Sequence, residues 1–202
     1  MQQIVPIESQ TIERPHWGAG FGLRAAAQII DLVIHNVTAY IGGIFGGVII
    51  AIYALATRQS PSFLTSKLQT TSLIWYIFPL LGYVIYHTVC ESVYGATLGK
   101  LIMKTQVVDE NGSRCSFHAA FFRSLAFFVD ALFFGLVAAL SMNRSELKQR
   151  YGDKWAHTVV VERLQLSESQ KASGWRFFIA FLIAIVADGC IMMLFIVLKA
   201  II

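Results

Sequence analysis

Residues 29–56 read IIDLVIHNVTAYIGGIFGGVIIAIYALA, and Asp31 is the one residue in this block that is charged at neutral pH. A helix needs roughly 20 predominantly apolar residues to cross the hydrocarbon core of a bilayer, and this block exceeds that length. Its apolar residues form a continuous run and not the short amphipathic period of a soluble surface helix. We therefore predict that residues 29–56 cross a membrane.

Three further apolar blocks follow, at residues 73–94, 117–142 and 175–202. Hydrophobic residues make up 56% of the chain and charged residues 14%, and the mean hydropathy is +0.62. Ordinary soluble domains carry about 25% charged residues, so this chain lacks the charged shell of a soluble protein. The predicted fold class is an all-α polytopic membrane protein, an integral multi-pass protein of a bacterial inner membrane.

Two short segments between the blocks are rich in strand-forming residues. Residues 104–113 lead into an Asn-Gly turn, and residues 157–161 contain three consecutive valines. Both segments are too short to cross a bilayer. We predict that residues 105–109 and 158–162 pair in a small β-sheet at the membrane surface.

The third block decides the topology. It carries Arg123 and Asp130 on one helical face, which makes it a poor simple span. If it crosses the membrane, the cations divide almost evenly between the two sides. If it is re-entrant or interfacial, only Arg58, Lys67 and Lys199 lie outside, as the positive-inside bias favours. We favour three full crossings, within a range of three to four membrane helices, plus a re-entrant or interfacial segment.

The expected organisation is one membrane domain without a convincing internal repeat. A polar cytoplasmic segment covers residues 1–20, with no signal peptide, and the membrane domain covers residues 21–162. Residues 163–202 form a linker and an additional transmembrane helix. The N-terminus and residues 95–174 are expected in the cytoplasm, with the C-terminus outside.

Several function classes are excluded by the sequence. The net charge is +4, but the cations lie beside the apolar blocks and not in a basic patch, so we expect the lipid bilayer and no nucleic acid as partner. Three unpaired cysteines offer neither a disulfide framework nor a CxxC metal site. Residues 95–100, GATLGK, have one residue too few for a phosphate loop. We predict no enzyme, no cofactor, no catalytic residue and no metal site.

Ionisable residues inside apolar blocks are the candidate functional residues, because each costs a few kcal/mol in a membrane. Tyr83, His87 and Glu91 recur every fourth position and form one polar stripe. Such groups can hold and release protons near neutral pH. The candidate residues for transport or ion binding are Arg24, Asp31, His35, His87, Glu91, Asp130, Asp153 and Asp188.

Two interpretations of these residues stay open. In the first, they form a path for protons or monovalent cations. In the second, they pair within the helix bundle and only stabilise it. We expect Arg24 to pair with Glu91 or Asp153, and Asp31 to accept a hydrogen bond or a proton from His35 or His87.

The glycines of the first block offer a possible contact surface. Their spacing lets another helix approach closely, which predicts helix packing and a possible homo-oligomer through Gly42, Gly43, Gly46 and Gly47.

Four motifs in order resemble the RDD family of membrane proteins. They are residues 21–31, FGLRAAAQIID; residues 91–100, ESVYGATLGK; residues 106–123; and residues 151–161, YGDKWAHTVVV. The resemblance covers about residues 20–162. It implies that Asp153 is the second aspartate of the family's motif pattern. Gly152 stands where many members have histidine.

The resemblance implies a role in transport, since cation/proton antiport is attributed to some relatives. A eukaryotic relative is linked to assembly of a membrane quality-control complex. The resemblance thus implies a proton or small-cation transporter of the antiporter type, or alternatively an accessory or scaffold protein that binds partner proteins.

Overall fold

The computed structural model describes residues 18–58 and 72–201. The predicted N-terminal segment 1–20 therefore lies largely outside the described residues. In chain order the elements are α1 Phe21–Thr57, α2 Ser72–Val93, α3 Leu98–Ile102, β1 Thr105–Asp109, α4 Phe117–Asp130, α5 Leu132–Asn143, α6 Tyr151–Trp155, β2 Thr158–Glu162, a 3-10 turn Arg163–Gln165 and α7 Gly174–Ile201. The protein is mostly helical and has one two-stranded sheet.

Helix α2 packs against both α4 and α7, while α1 packs against the short helix α3. Small side chains on α7 allow the close approach to α2, since Ala180 and Ala184 are buried against aromatic rings. Those rings belong to Tyr86 of α2, Tyr94 just after the end of α2, and Phe177 of α7. This packing fixes α2 next to the elements that carry the charged residues.

The predicted pairing of residues 105–109 and 158–162 is confirmed. Strands β1 and β2 are antiparallel, with Val107 opposite Val160 at the centre of the register. The valines of both strands are buried, and each outer edge forms a backbone hydrogen bond with another segment. The Ala19 N–H donates to the Val160 carbonyl at 2.7 Å, and the Val107 N–H donates to the Gly95 carbonyl at 2.7 Å. These contacts occupy part of each outer edge, which would otherwise be free to pair with another strand.

The third apolar block is not one straight helix. The axes of α4 and α5 meet at 114°. The break occurs at Phe133, Phe134 and Gly135, whose φ angles of 51°, 58° and 85° lie in the left-handed region. Because β1 and β2 are hydrogen-bonded to each other, the chain between them returns to the side on which it started.

One helix in the described part of the chain is long and apolar enough to cross a membrane, namely α7 with its window Gly174–Ile191. The bent pair α4–α5 would pass the same test if it formed a single span. The predicted contact surface at Gly42, Gly43 and Gly46 lies outside the residues whose surroundings the structure describes. Three crossings by the first, second and fourth blocks therefore stay a prediction.

The expectation that the chain has no internal repeat is wrong. The chain contains two similar units, the first ending at β1 and the second at β2. In each unit, a five-residue helix begins seven residues before a five-residue strand: α3 before β1, and α6 before β2. The residue just before each strand, Lys104 or His157, has a positive φ angle. The sequences LGKLIMKTQVVD and YGDKWAHTVVVE align over these segments without a gap.

The long helices α1 and α4 follow the same repeat. Arg24 precedes Asp31 by seven residues, and Arg123 precedes Asp130 by the same spacing. In the sheet register Val107 faces its own counterpart, Val160, so the two strands are related by a local twofold rotation. The repeat is hard to see in the sequence because few residues are identical. The straight helix α2 of the first unit also has the bent helix α5 as its counterpart in the second unit.

Candidate functional site

The first part of the site is an ion pair between two motifs that lie far apart in sequence. Arg24, in the first turn of α1, pairs through Nη2 with Oδ2 of Asp153 in α6. Its Nη1 also donates to the Lys148 carbonyl at 2.8 Å. The predicted choice of Asp153 as a partner for Arg24 is confirmed.

Arg123 of α4 links this pair to α2. It pairs through Nη1 with Asp153, and its Nε donates to Glu91 Oε2 at 2.9 Å. The same Nη1 donates to Thr158 Oγ1 at 2.6 Å. Lys100 completes the chain of charges, because its Nζ donates to Glu91 Oε1 at 2.9 Å. We call Arg24, Lys100, Glu91, Arg123 and Asp153 the charged cluster.

The charged cluster is buried and alternates in sign. Burial alone would raise the pKa of the Asp153 carboxyl. Coulombic attraction from Arg123 and Arg24 outweighs burial and holds that pKa well below the ordinary value. The backbone N–H of Arg150 also donates to Asp153, at 3.0 Å. Asp153 is therefore an ionised carboxylate at neutral pH.

Asp31 lies at the start of α3 and accepts three hydrogen bonds. The donors are the Gly99 N–H at 2.8 Å, the Thr97 hydroxyl at 2.6 Å and the Tyr86 hydroxyl at 3.0 Å. The expected donors, His35 and His87, are not among them, which corrects that prediction. A carboxylate is stabilised by the free N–H groups at a helix start, and the GATLGK motif supplies them.

Gly99 explains why the GATLGK motif needs a glycine here. A Cβ atom at this position would overlap the Ala27 carbonyl oxygen of α1 and approach the Asp31 carboxyl carbon to 2.8 Å. The motif is therefore a packing and capping device between α1 and α3. Its lysine binds Glu91.

Asp130 has the equivalent role in the second unit. It accepts hydrogen bonds from the backbone N–H groups of Tyr151, at 3.2 Å, and Gly152, at 3.4 Å. A Cβ at Gly152 would lie 2.7 Å from the Ala126 Cβ, so the glycine allows α6 to approach α4. This contact accounts for glycine at the position where the resemblance leads us to expect histidine.

The polar stripe of α2 borders the charged cluster. His87 Nδ1 lies 3.5 Å from Glu91 Oε1, and the rings of His87 and Tyr83 have centroids 4.2 Å apart. His87 Nε2 is buried and has no hydrogen-bond partner among the described residues. It borders a cavity of about 10 Å³, room for about one water molecule. The cavity is lined by Gln28, Tyr83, His87, Glu91, Lys100, Arg123, Ser124, Phe127 and Arg150.

Two of the predicted residues lie away from the charged cluster. His35 of α1 and Asp188 of α7 flank Gly82 of α2, further along the helices. The rings of His35 and Tyr83 approach edge to face, with centroids 6.2 Å apart. Tyr83 thus stands between the two histidines.

The structure brings Arg24, His87, Glu91 and Asp153 together and places Asp31 and Asp130 at the starts of the two short helices. Sequence reasoning missed Arg123, Lys100 and the hydroxyl donors Tyr86 and Thr97 as members of these sites. The repeated spacing of an arginine and an aspartate was the signal that could have identified Arg123.

The arrangement offers imidazole and carboxylate groups for proton transfer and a row of fixed opposite charges. Within residues 18–58 and 72–201, no three His, Cys, Asp or Glu side chains are grouped so that they could hold a metal ion.

Comparison with known proteins gives one family. A search of curated proteins and a search of solved structures each found no match. The sequence model of the RDD family matches residues 18–157, more than half of the chain. This range includes both arginine–aspartate helices, the two short helices and the charged cluster. The chain therefore belongs to the RDD family, a family of membrane domains.

Proposed function

We propose that the protein crosses a bacterial inner membrane several times and moves protons or small cations across it. The membrane part of this proposal is supported by large apolar side chains that lie exposed on several helices. They include Ile29, Leu32 and Val33 of α1, Phe122 of α4, Phe134 of α5, and Phe178 and Leu182 of α7. Such a surface is disfavoured in water and favoured in lipid.

One observation carries the transport proposal. Two histidines on neighbouring helices, His35 and His87, each have a buried Nε2 without a hydrogen-bond partner among the described residues. Tyr83 lies between their rings. We call His35, Tyr83, His87 and Glu91 the titratable row. Imidazole changes its charge near neutral pH, so a row of such groups can take up and release protons.

The titratable row ends at the charged cluster. Glu91 faces His87 on one side and Lys100 and Arg123 on the other. The small cavity beside His87 offers room for a bridging water. A proton arriving at His87 therefore meets Glu91, whose charge is compensated by two fixed cations. This end of the row lies close to the sheet, which we place in the cytoplasm.

The alternative function is that of an accessory or scaffold protein, and a specific observation favours it. The carboxylates of Asp31, Asp153 and Glu91 are all fully engaged by donors, and the cavity is very small. A polar cluster that is paired and nearly dry is expected of a structural device. Under this alternative the titratable row stabilises the bundle, and the protein acts by binding partner proteins.

Proton flux in liposomes separates the two functions. The purified full-length protein is reconstituted with a pH-sensitive dye inside the vesicles, and an electrical potential or a sodium or potassium gradient is imposed. We expect dye changes faster than in empty liposomes, and slower changes for His87→Gln. Glu168→Gln is the matched control, because its exposed carboxylate pairs with Lys171 and lies outside the titratable row and the charged cluster.

The outcomes are distinct. Flux equal to that of empty liposomes under every gradient, in a protein that remains folded, overturns transport and favours the accessory function. Flux that is unchanged in His87→Gln contradicts the titratable row as the path.

A further inference from the structure

Gly82 of α2 brings two ionisable side chains from different helices together. A Cβ atom built at this position would overlap Oδ1 of Asp188, from α7, and would lie 3.3 Å from Cε1 of His35, from α1. Both side chains therefore rest on the same bare stretch of the α2 backbone. The family match ends at residue 157, so Asp188 comes from a helix outside it.

His35 and Asp188 lie at matching depth in the helix bundle. Each is 14 residues beyond the start of its helix, Phe21 or Gly174, a rise of about 21 Å. The hydrocarbon core is about 30 Å thick, so a residue at this distance from the interface lies inside the bilayer. An ionisable residue at such a depth is costly and marks an ion pathway or a proton relay.

Within the part of the chain that the structure describes, His35 Nε2 is buried without a hydrogen-bond partner. The Asp188 side chain is half-buried beside it, against the bare backbone of Gly82. A further titratable group beside the pair is Tyr83 of α2, edge to face with His35. Helix α4 contributes only the rings of Phe127 and Phe128 against Tyr83.

We propose that His35 and Asp188 form a membrane-embedded proton-binding site that extends the titratable row to α7. A proton bound to the Asp188 carboxyl passes through a bridging water molecule to the His35 imidazole, leaving an aspartate carboxylate and a histidine imidazolium. The imidazolium then releases a proton toward Tyr83 and His87. This inference rests on the proposed transport function and names the proton as the transported ion.

The composition of the site favours a proton over a metal cation. Hard cations such as Ca²⁺ take six or more oxygen ligands. The pair offers one carboxylate and one imidazole, which is neutral or positively charged and repels a cation when protonated. A single carboxylate beside an imidazole is sufficient for a proton, because proton transfer needs one donor and one acceptor.

A matched pair of glycine variants tests the geometry. Gly82→Ala adds a methyl group where Asp188 Oδ1 lies, whereas Gly189→Ala adds the same methyl group to α7 in open space. We expect the single variants Gly82→Ala and Asp188→Asn each to slow proton flux into liposomes. The expected factor for Asp188→Asn is about a hundredfold, the low end of what a positioned proton-transfer group contributes. Gly189→Ala should conduct like the wild type.

A second measurement does not depend on transport. Infrared difference spectra between acidic and alkaline buffer report the protonation of buried carboxyl groups in the folded protein. We expect a pH-dependent carboxyl band that is absent in Asp188→Asn and shifted in His35→Gln. A band unaffected by both substitutions overturns the proton site, whether or not the protein conducts.

The two proposals fail in different ways. Wild-type flux that persists in Asp188→Asn and Gly82→Ala overturns this site while the transport function stands. A wild type without flux removes the transport function, and the infrared band then decides whether the pair binds a proton at all.

Discussion

Arg24 and Asp153 form an ion pair in which the arginine side chain is 6% exposed and the aspartate side chain is fully buried. The pair joins the start of α1 to α6, and Arg123 extends it to α2 through Glu91. Four helices, α1, α2, α4 and α6, thus meet at one alternating row of charges. The charged cluster holds the sheet against the ends of the long helices.

Replacing Asp153 should lower the thermal stability of the protein more than replacing an exposed carboxylate. Asp153→Asn leaves the Arg24 and Arg123 guanidinium groups short of a buried counter-charge, which costs about 3–5 kcal/mol. We expect a large drop in the thermal midpoint of the detergent-solubilised protein. Glu168→Gln, at an exposed pair with Lys171, should melt like the wild type. Equal midpoints for both variants would contradict the structural role of Asp153.

Asp31→Asn should lower stability more than Asp130→Asn. Asp31 accepts three hydrogen bonds of 2.6–3.0 Å, whereas Asp130 accepts two backbone hydrogen bonds of 3.2 and 3.4 Å. An asparagine amide turns one acceptor into a donor, and each unsatisfied buried group costs about 1–3 kcal/mol. Flux per folded molecule should be unchanged in Asp31→Asn. Lost flux at unchanged stability would make Asp31 part of the ion path.

The stabilisation by Asp153 should withstand mild acid. The pKa of the Asp153 carboxyl is held below its unfolded value of about 3.9. Its contribution is therefore fully present above pH about 4 and is lost as the pH falls through the lower folded value. The difference in thermal midpoint between wild type and Asp153→Asn should stay constant from neutral pH down to about 5. A difference that vanishes near pH 6 would show that the carboxylate is not ionised as described.

Arg58, at the end of the first span, and Ser169, in the segment after β2, should be accessible from opposite sides of the membrane. The cation distribution places Arg58 outside and the segment after β2 in the cytoplasm. In a variant without the native cysteines, Arg58→Cys and the exposed Ser169→Cys should react with an impermeant thiol reagent from opposite sides. Labelling of both from the same side would refute the three-crossing topology.

The sheet and the Arg24–Asp153 pair could be predicted because their signals are local. A run of valines flanked by turn residues identifies a strand, and a buried arginine at a helix start calls for an acidic partner. The partners of Asp31 could not be found in this way. Its donors are hydroxyl groups and a backbone N–H, which carry no charge pattern in the sequence.

Arg123 and the internal repeat were missed for a related reason. The two units share an arginine–aspartate spacing and a glycine–threonine–valine pattern, but their intervening helices differ in length and course. Lys100 and Asp153 occupy equivalent positions in the two units but carry opposite charges. The antiparallel register, in which Val107 faces Val160, places the equivalent residues of the two units opposite each other.

The sequence separation of Arg24 and Asp153 has a consequence for biosynthesis. The two residues lie 129 positions apart, so Arg24 leaves the ribosome long before its counter-ion exists. At 5–20 residues per second, the delay is about 10 s. During this time the guanidinium group must stay near the lipid headgroups, where a long cationic side chain can reach phosphate. The first helix therefore reaches its final position only after the last quarter of the chain has begun to emerge.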